Sequence, residues 1–288
     1  MSSGAPSPEV EARITRILGW RPDDWRPVAG GYTAAARFRV SDERRSAFVK
    51  IATTPTTAAM LHREIKAYDS ISAPFMPPLY GVDADTDRPM LVIEDLSDAT
   101  WPPPWTKPHI RQVFDAIAQL HQTTAALPAA GTLSGQHAGW PQIARDPDPF
   151  LSLNLVTSAW LDRWLQTLVD AEAACVQTGD ALVHLDLRSD NICIAPDGVK
   201  FIDWSEAGLG NPAVDLGGFL PSLAYEGGPL PDQVMPDAPE VAALISGYFA
   251  ARAGQPTIPD APFVRRVQQQ QLSTAFPWAI RALGITTP

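Results

Sequence analysis

Apolar and polar residues partly alternate along "VAGGYTAAARFRV" and again along "SAFVKIA" between Val28 and Ile51, with a polar break at Ser41 to Arg45. That period of two predicts two strands joined by a turn and preceded by a glycine pair. The spacing then changes. Met60, Leu61, Ile65, Tyr68 and Ile71 recur at helical intervals within residues 57–71, which predicts an amphipathic helix. "LYGVDADTDRPMLVIEDL" returns to strand patterning and predicts a second hairpin. The first 95 residues therefore read as mostly sheet with one main helix.

After Leu96 the texture becomes helical, at about Pro108 to Ala126, Leu153 to Gln177, Pro239 to Ala253 and Pro262 to Leu283. The strand-like pieces in this region lie in "LVHLDLRSDNICIAPDGVKFIDWSE", Leu182 to Glu206, where an apolar run meets a polar loop and two further apolar runs follow, turning at Pro196 to Gly198. The pattern predicts an α+β protein of two lobes. A small β-rich lobe spans residues 1–95 and a larger, mostly helical lobe spans 96–288, with a hinge at 94–97 in "EDLSD". A ligand is expected in the cleft between them. The prolines cluster in "WPPPWTKP" and between Pro221 and Pro239, which predicts ordered surface loops and not helix interiors.

Composition narrows the classes. The chain has 288 residues, 45% of them hydrophobic, enough for a sizeable core. No apolar run approaches the roughly eighteen residues of a membrane span, and the N-terminus lacks a basic segment followed by an apolar one, so a cytoplasmic protein with no membrane partner is expected. A formal charge of -10 argues against a nucleic-acid partner and leans towards a neutral or cationic ligand. Cys175 and Cys193 are the two cysteines, and buried thiols are expected in place of a disulfide. A monomer or weak dimer is expected.

The polar loop carries the chemistry. Asp186 and Asn191 stand five apart after a strand, and Asp203 ends a later one, so a hairpin can bring all three together. Hard oxygen donors in such a group suit Mg²⁺, which otherwise binds substrate phosphates and water. Phosphoryl transfer needs this grouping, together with cationic side chains and a carboxylate to take the proton of an attacking hydroxyl.

"HLDLRSDN" fits H-x-D-x-x-x-x-N, and "FIDW" and "GNPAVDLG" follow at the spacing of a kinase metal-binding Asp and of a later bracing Asp. In these motifs the chain resembles the aminoglycoside phosphotransferase and choline kinase-like branch of the protein-kinase-like fold, over roughly Val28 to Gly218. The resemblance implies ATP or GTP as co-substrate with Mg²⁺. Asp186 would be the catalytic carboxylate, Arg188 a charge for the moving phosphoryl group, and Asn191 and Asp203 the metal ligands. His184 and Asp215 would support the catalytic loop. Lys50 in "AFVKIA" and Glu64 in "LHREIKAY" match the strand lysine and its helix partner. Gly30, Gly31, Tyr32 and Thr33 would cover the phosphates, and adenine would bond the backbone around Glu94 to Leu96.

The chain departs from the family pattern in three places. Leu185 stands where a small glycine is usual, the phosphate turn has only two glycines, and no long activation loop follows Asp203, which counts against a protein substrate. His121 in "AIAQLHQTT" reads as a packed, hydrogen-bonded histidine outside the site. An acceptor site is expected in the second lobe, near Trp101 to Trp105, Trp140 to Phe150 and Tyr225 to Glu240. There Glu226, Asp232, Asp237 and Glu240 could meet the ammonium groups of a cationic small molecule, or form a solvated rim. Trp101, Trp105 and Trp140 could stack on a sugar or cation, or pack beneath loops. The expected activity is transfer of the γ-phosphate to a hydroxyl of a small molecule, an aminoglycoside-type antibiotic in a resistance role or a metabolite such as an amino sugar or amino alcohol. A catalytically silent nucleotide-binding module is the alternative from another class.

Overall fold

The computed structural model describes residues 6–29, 31, 33–84, 87–133, 139–258 and 261–287. In chain order the elements are α1 (Pro8–Leu18), β1 (Asp24–Pro27), β2 (Ala36–Ser41), β3 (Ser46–Ile51), α2 (Pro55–Ser70), β4 (Leu79–Asp83), β5 (Met90–Glu94), α3 (Lys107–Gln122), α4 (Gly139–Arg145), α5 (Asp148–Leu151) and α6 (Ser158–Ala174). They continue with β6 (Ala181–Val183), β7 (Ile192–Ala195), β8 (Gly198–Phe201), β9 (Gly208–Gly210), α7 (Pro212–Tyr225), α8 (Pro231–Val234), α9 (Pro239–Ala253) and α10 (Val264–Ala282). The chain divides into two compact units. One comprises Met1–Pro102, Thr123–Leu127 and Asp190–Ala207, and the other comprises Pro103–Gln122, Pro128–Ser189 and Gly208–Pro288. This division does not fall as a single cut at 94–97, because the chain returns to the first unit twice.

The first unit is built on an antiparallel sheet in the order β1-β2-β3-β5-β4. β2 pairs β3 from Ala36↔Ile51 to Ser41↔Ser46 and β4 pairs β5 from Leu79↔Ile93 to Asp83↔Met90, so both expected hairpins form, and β3 joins them by pairing β5 from Ala47↔Glu94 to Ile51↔Met90. The first strand is shorter than the alternation suggested. β2 begins only at Ala36, and β1 pairs it instead, with the Val28 N–H still donating to the Arg37 carbonyl at 2.9 Å. One face of the sheet buries Val40, Ala47, Val49, Ile51, Met90 and Val92 under Val10 and Ile14 of α1. The main helix, α2, begins at Thr54, whose hydroxyl accepts the Thr57 N–H at 3.2 Å while the Thr57 hydroxyl accepts the Thr54 N–H at 2.9 Å. This reciprocal cap satisfies two donors that the first helical turn leaves open. Leu61, Glu64, Ile65 and Tyr68 form its buried stripe.

The second unit is mostly helical. α4, α5, α6, α9 and α10 share a core in which Trp140 meets Phe150 edge-on at 5.5 Å and Phe276 at 5.9 Å. The helices expected near 108, 153, 239 and 262 appear as α3, α6, α9 and α10, with α9 at the predicted ends. β9 pairs β6 across Ala181↔Gly210 to Val183↔Gly208. Its three residues, two of them glycine, were too short to show a period. The proline cluster was misread at one end, since Pro221 lies inside α7. It removes one intrahelical hydrogen bond, yet its carbonyl accepts the Thr274 hydroxyl of α10 at 2.8 Å. Among the described residues no helix is long and apolar enough to cross a membrane.

One buried charge in the second unit has a measurable consequence. Glu172 of α6 is 1% exposed, and its Oε2 accepts the Trp140 N–H at 2.6 Å while Oε1 has no partner. Gly139 and Gly247 leave it room, since a Cβ on either would collide with the carboxylate. Burial pushes Glu172 up from 4.5 to about 7, against the Trp140 N–H and the charge of Arg252. A carboxyl raised in the folded state binds more protons folded than unfolded between those values. Its contribution to stability is therefore present below about pH 4.5 and is lost as pH rises through about 7. Glu172→Gln keeps an acceptor for Trp140 and cannot ionise. In urea unfolding, the stability of Glu172→Gln relative to the parent should grow from near zero at pH 5 to about 1–3 kcal/mol at pH 8. A difference that stays constant across this range would contradict the assignment.

Candidate active site

In the first unit the sheet, α2 and the β7–β8 hairpin converge on Lys50. Its ammonium lies 2.6 Å from Oε2 of Glu64 and 3.0 Å from Oδ1 of Asp203. Lys50 is 9% and Glu64 3% exposed, so this is a largely desolvated ion pair in which each charge requires the other. Burial disfavours the Lys50 charge, but Glu64 and Asp203 outweigh it and hold the ammonium above the ordinary lysine value. Burial is also the larger effect on Glu64, and with the Asp203 charge it raises that carboxyl against the pull of Lys50. The strand fixes Lys50, and Glu64 faces it because position 64 falls on the buried stripe of α2.

The hairpin brings the two expected metal ligands to one end. Ile192 pairs with Phe201, and the Ile202 N–H donates to the Asn191 carbonyl at 3.0 Å, so Asn191 and Asp203 flank the open end of β7 and β8. Asp203 has a φ of 64°. That left-handed backbone costs a non-glycine residue roughly 1–3 kcal/mol and persists only where surroundings enforce it. Here α2 supplies the enforcement. Arg63 donates to the Ser205 carbonyl at 2.8 Å and pairs with Glu206 at 3.0 Å, while Phe75 stacks on Trp204 at 5.8 Å. An amide oxygen and a carboxylate oxygen fit a Mg²⁺ that takes its other ligands from phosphates and water. Among the described residues there is no cluster of three or more His, Cys, Asp or Glu side chains that would hold a metal by protein ligands alone.

The remaining residues of the first unit follow from the same sheet. Gly31 has a φ of 72°, and an added Cβ would run into the Arg37 guanidinium. Arg37 donates to the Thr33 hydroxyl at 3.0 Å and to the Ala35 carbonyl at 3.0 Å. It stands directly opposite Lys50 in the β2–β3 register. Gly30 and Tyr32 lie outside the described residues. At the tether, the Glu94 N–H donates to the Pro78 carbonyl at 2.9 Å, and the Leu96 carbonyl accepts the Trp101 indole at 3.1 Å. Thr100 and Ile194 exchange backbone bonds of 2.9 Å, which ties the tether to β7.

In the second unit, Asp215 organises the loop after β6. It is 1% exposed and accepts the His184 N–H at 3.0 Å, the Leu185 N–H at 2.7 Å and His121 Nε2 at 3.0 Å. An ionised carboxylate only accepts, so His121 carries its proton on Nε2 in this bond. His184 is fully buried, and its Nδ1 accepts the Asp186 N–H at 3.3 Å. Leu185 has a φ of 59°, which accounts for the unusual residue noted at this position: glycine suits that backbone, and the bond to Asp215 holds leucine in it. Arg188 Nε lies 3.1 Å from Asp186 Oδ1, which orients the carboxylate expected to be catalytic.

Several acceptor-side expectations change. Trp140 is fully buried in the helical core against Phe150 and Phe276, so of its two expected roles the packing one is observed. Glu226 is committed within the chain, accepting the Ser189 hydroxyl at 2.6 Å and the Trp105 indole N–H at 2.7 Å. Asp232 pairs with Arg281 at 2.6 Å, and that contact holds its carboxyl below the usual range. Burial pushes Cys193 up to about 12 and Cys175 up to about 11, consistent with inert free thiols. Spacing marked Tyr68 only as an apolar helix position, and Arg37 and Arg63 drew no expectation. The Tyr68 hydroxyl is buried without a partner, and burial with the charges of Glu64 and Asp203 raises it well above its ordinary value. Its position one turn after Glu64 was the signal available for it. Nothing local distinguishes Arg37 or Arg63 from any other surface arginine.

Comparison with known proteins agrees with this architecture. The solved aminoglycoside phosphotransferase APH(4)-Ia is similar with a TM-score of 0.58 at 11% identity, over 97% of this chain and 99% of that one. Spectinomycin phosphotransferase APH(9)-Ia, solved with ADP and spectinomycin, gives 0.60 at 14% over 97% and 95%. A choline/ethanolamine kinase family protein from Mesorhizobium loti gives 0.59 at 19% over 96% and 98%. No curated protein sequence matches the chain. Residues 24–254, from the first residue of β1 to just beyond α9, match the APH phosphotransferase enzyme family. Every described residue of the two clusters around Lys50 and Asp215 falls inside that match, and the chain belongs to this family of phosphotransferases, with its bilobal, protein-kinase-like α+β fold.

Proposed function

We propose that the protein is an ATP-dependent phosphotransferase that moves the γ-phosphate to a hydroxyl of a small molecule. The observation that carries this reading is the buried Lys50 held at 2.6 Å by Glu64 and at 3.0 Å by Asp203, an expensive arrangement for a fold with no phosphate to bind. Lys50, itself held by Glu64, holds the α- and β-phosphates, the segment from Gly30 to Thr33 is assigned to cover them, and the Glu94 to Leu96 backbone takes the base. Asn191 and Asp203 hold Mg²⁺, which when bound neutralises charge on the phosphates. The acceptor oxygen attacks the γ-phosphorus as its proton passes to Asp186. A P–O bond to the acceptor forms, the bridging P–O bond breaks, and ADP leaves. Arg188 orients Asp186 and contributes positive charge, while His184 and Asp215 hold the loop. GTP serves in place of ATP if the base site admits guanine. The reaction implies a cytoplasmic setting, where nucleotide and Mg²⁺ are supplied, and needs no partner beyond the small molecule.

The fold relatives that bind hygromycin B or spectinomycin support an aminoglycoside-type acceptor. A second reading draws on the acidic residues. Glu226 and Asp232 are already engaged by Trp105, Ser189 and Arg281, which favours an acceptor with fewer positive charges, such as an amino sugar or amino alcohol.

Asp186→Asn should lower turnover of Mg-ATP by about a thousandfold or more and leave nucleotide affinity within a few fold, measured by ADP release and by calorimetry. Asp203→Asn should weaken nucleotide binding in Mg²⁺ as well. Near-normal turnover by Asp186→Asn would remove it from the catalytic role. Across a panel of aminoglycosides, amino sugars and amino alcohols, one class should give a phosphorylated product by mass spectrometry. Tight ATP binding with no product from any class would favour the silent nucleotide-binding alternative.

A further inference from the structure

We propose that Glu226 is a positioning residue that clamps the catalytic loop from the far end of α7, through Ser189, and ties it to the proline loop through Trp105. The proposal rests on the phosphotransferase reading above. Glu226 Oε1 accepts the Ser189 hydroxyl at 2.6 Å and Oε2 accepts the Trp105 indole N–H at 2.7 Å. Both oxygens of one half-buried carboxylate are thus spent on donors from segments 37 and 121 residues away. The location is electrostatically unfavourable for an acid. Glu226 follows the last residue of α7, where the open carbonyls make the helix end negative. A carboxylate held there against that field by two charge-assisted bonds is fixing something.

What it fixes is the loop from Asp186 to Asn191. Ser189 is 8% exposed and follows Arg188 directly, whose Nε lies 3.1 Å from Asp186 Oδ1. Asp215, about three turns earlier on the same helix, holds the amides of His184 and Leu185. One helix therefore grips the loop on both sides of Asp186 and Arg188. The second grip is rigid. Trp105 packs edge-on against Phe219 of α7 at 5.9 Å, and Phe219 against Phe114 of α3 at 6.2 Å, so the indole is a fixed strut. Misplacing a reacting group by about 1 Å can cost about a hundredfold in rate, and release of Ser189 frees the segment that carries Arg188.

The test uses the full chain with Mg-ATP and water as the acceptor, since hydrolysis needs no identified substrate. Glu226→Ala should lower kcat for ADP release by about 10-fold to 100-fold with the Mg-ADP dissociation constant within twofold. Glu226→Gln, whose amide can accept from Trp105 and donate to the Ser189 oxygen, should recover at least tenfold over Glu226→Ala. Ser189→Ala should add little to Glu226→Ala when the two are combined. Hydrogen exchange supplies a readout independent of turnover: the amides of residues 187–191 should lose protection in Glu226→Ala and keep it in Glu226→Gln. Unchanged protection, or multiplicative effects of the two alanine substitutions, would overturn the clamp. Absence of turnover in the unsubstituted protein would instead count against the phosphotransferase reading, and the exchange result would still decide the clamp.

Discussion

A lysine ammonium removed from water must be surrounded by negative charge, and much of the first unit is arranged to meet that demand at Lys50. β3 delivers the ammonium, α2 delivers Glu64, and the β7–β8 hairpin delivers Asp203 in a left-handed backbone that no isolated peptide would favour. Each partner is held by something else. The Thr54 and Thr57 cap starts α2 in the right place, Arg63 and the Phe75 stack hold the residues after Asp203, and the Ile202 bond to Asn191 closes the hairpin. The strain at Asp203 is supported by a helix that is itself tied to the lysine, so the three elements stand or fall together.

The second unit solves a comparable problem with the opposite sign. Asp215 buries a carboxylate, and three donors from two segments satisfy it. Two of those donors are consecutive loop amides, so neutralising the charge also shapes the loop. That is why Leu185 can occupy a conformation suited to glycine. Polar groups buried without partners are costly, and in both units the costly group is the one that sets the position of the residues assigned to chemistry. In the first unit the ammonium orders carboxylates, and in the second a carboxylate orders amides.

The periodicity of the chain carried most of the architecture. Alternation marked β2, β3, β4 and β5, and helical spacing marked α2, α3, α6, α9 and α10. Several missed elements had local signals that were short or contrary: β9 has two glycines in three residues, and α7 contains Pro221, normally a breaker. Its interior position is stabilised by packing and by the Thr274 bond to its carbonyl, neither of which leaves a trace near residue 221. The helix α1 was missed although Ser7, Pro8 and Gly19 mark its ends.

The chemistry divided in the same way. Residue type and spacing singled out Asp186, Asn191 and Asp203, because phosphoryl transfer needs a carboxylate and hard oxygen ligands close together, while the resemblance to the phosphotransferase family added Lys50, Glu64, His184, Arg188 and Asp215. Sequence also set His121 aside as a packed histidine, and the structure gives it Asp215 for a partner. Tertiary structure alone decided which acidic and aromatic residues were already occupied. Trp140 disappeared into a core, Asp232 went to Arg281, and Glu226 went to Ser189 and Trp105. Motif spacing is local and survives in one dimension. The partner of a surface carboxylate is chosen by whichever distant donor folding brings within about 3 Å, and no pattern along the chain records that choice.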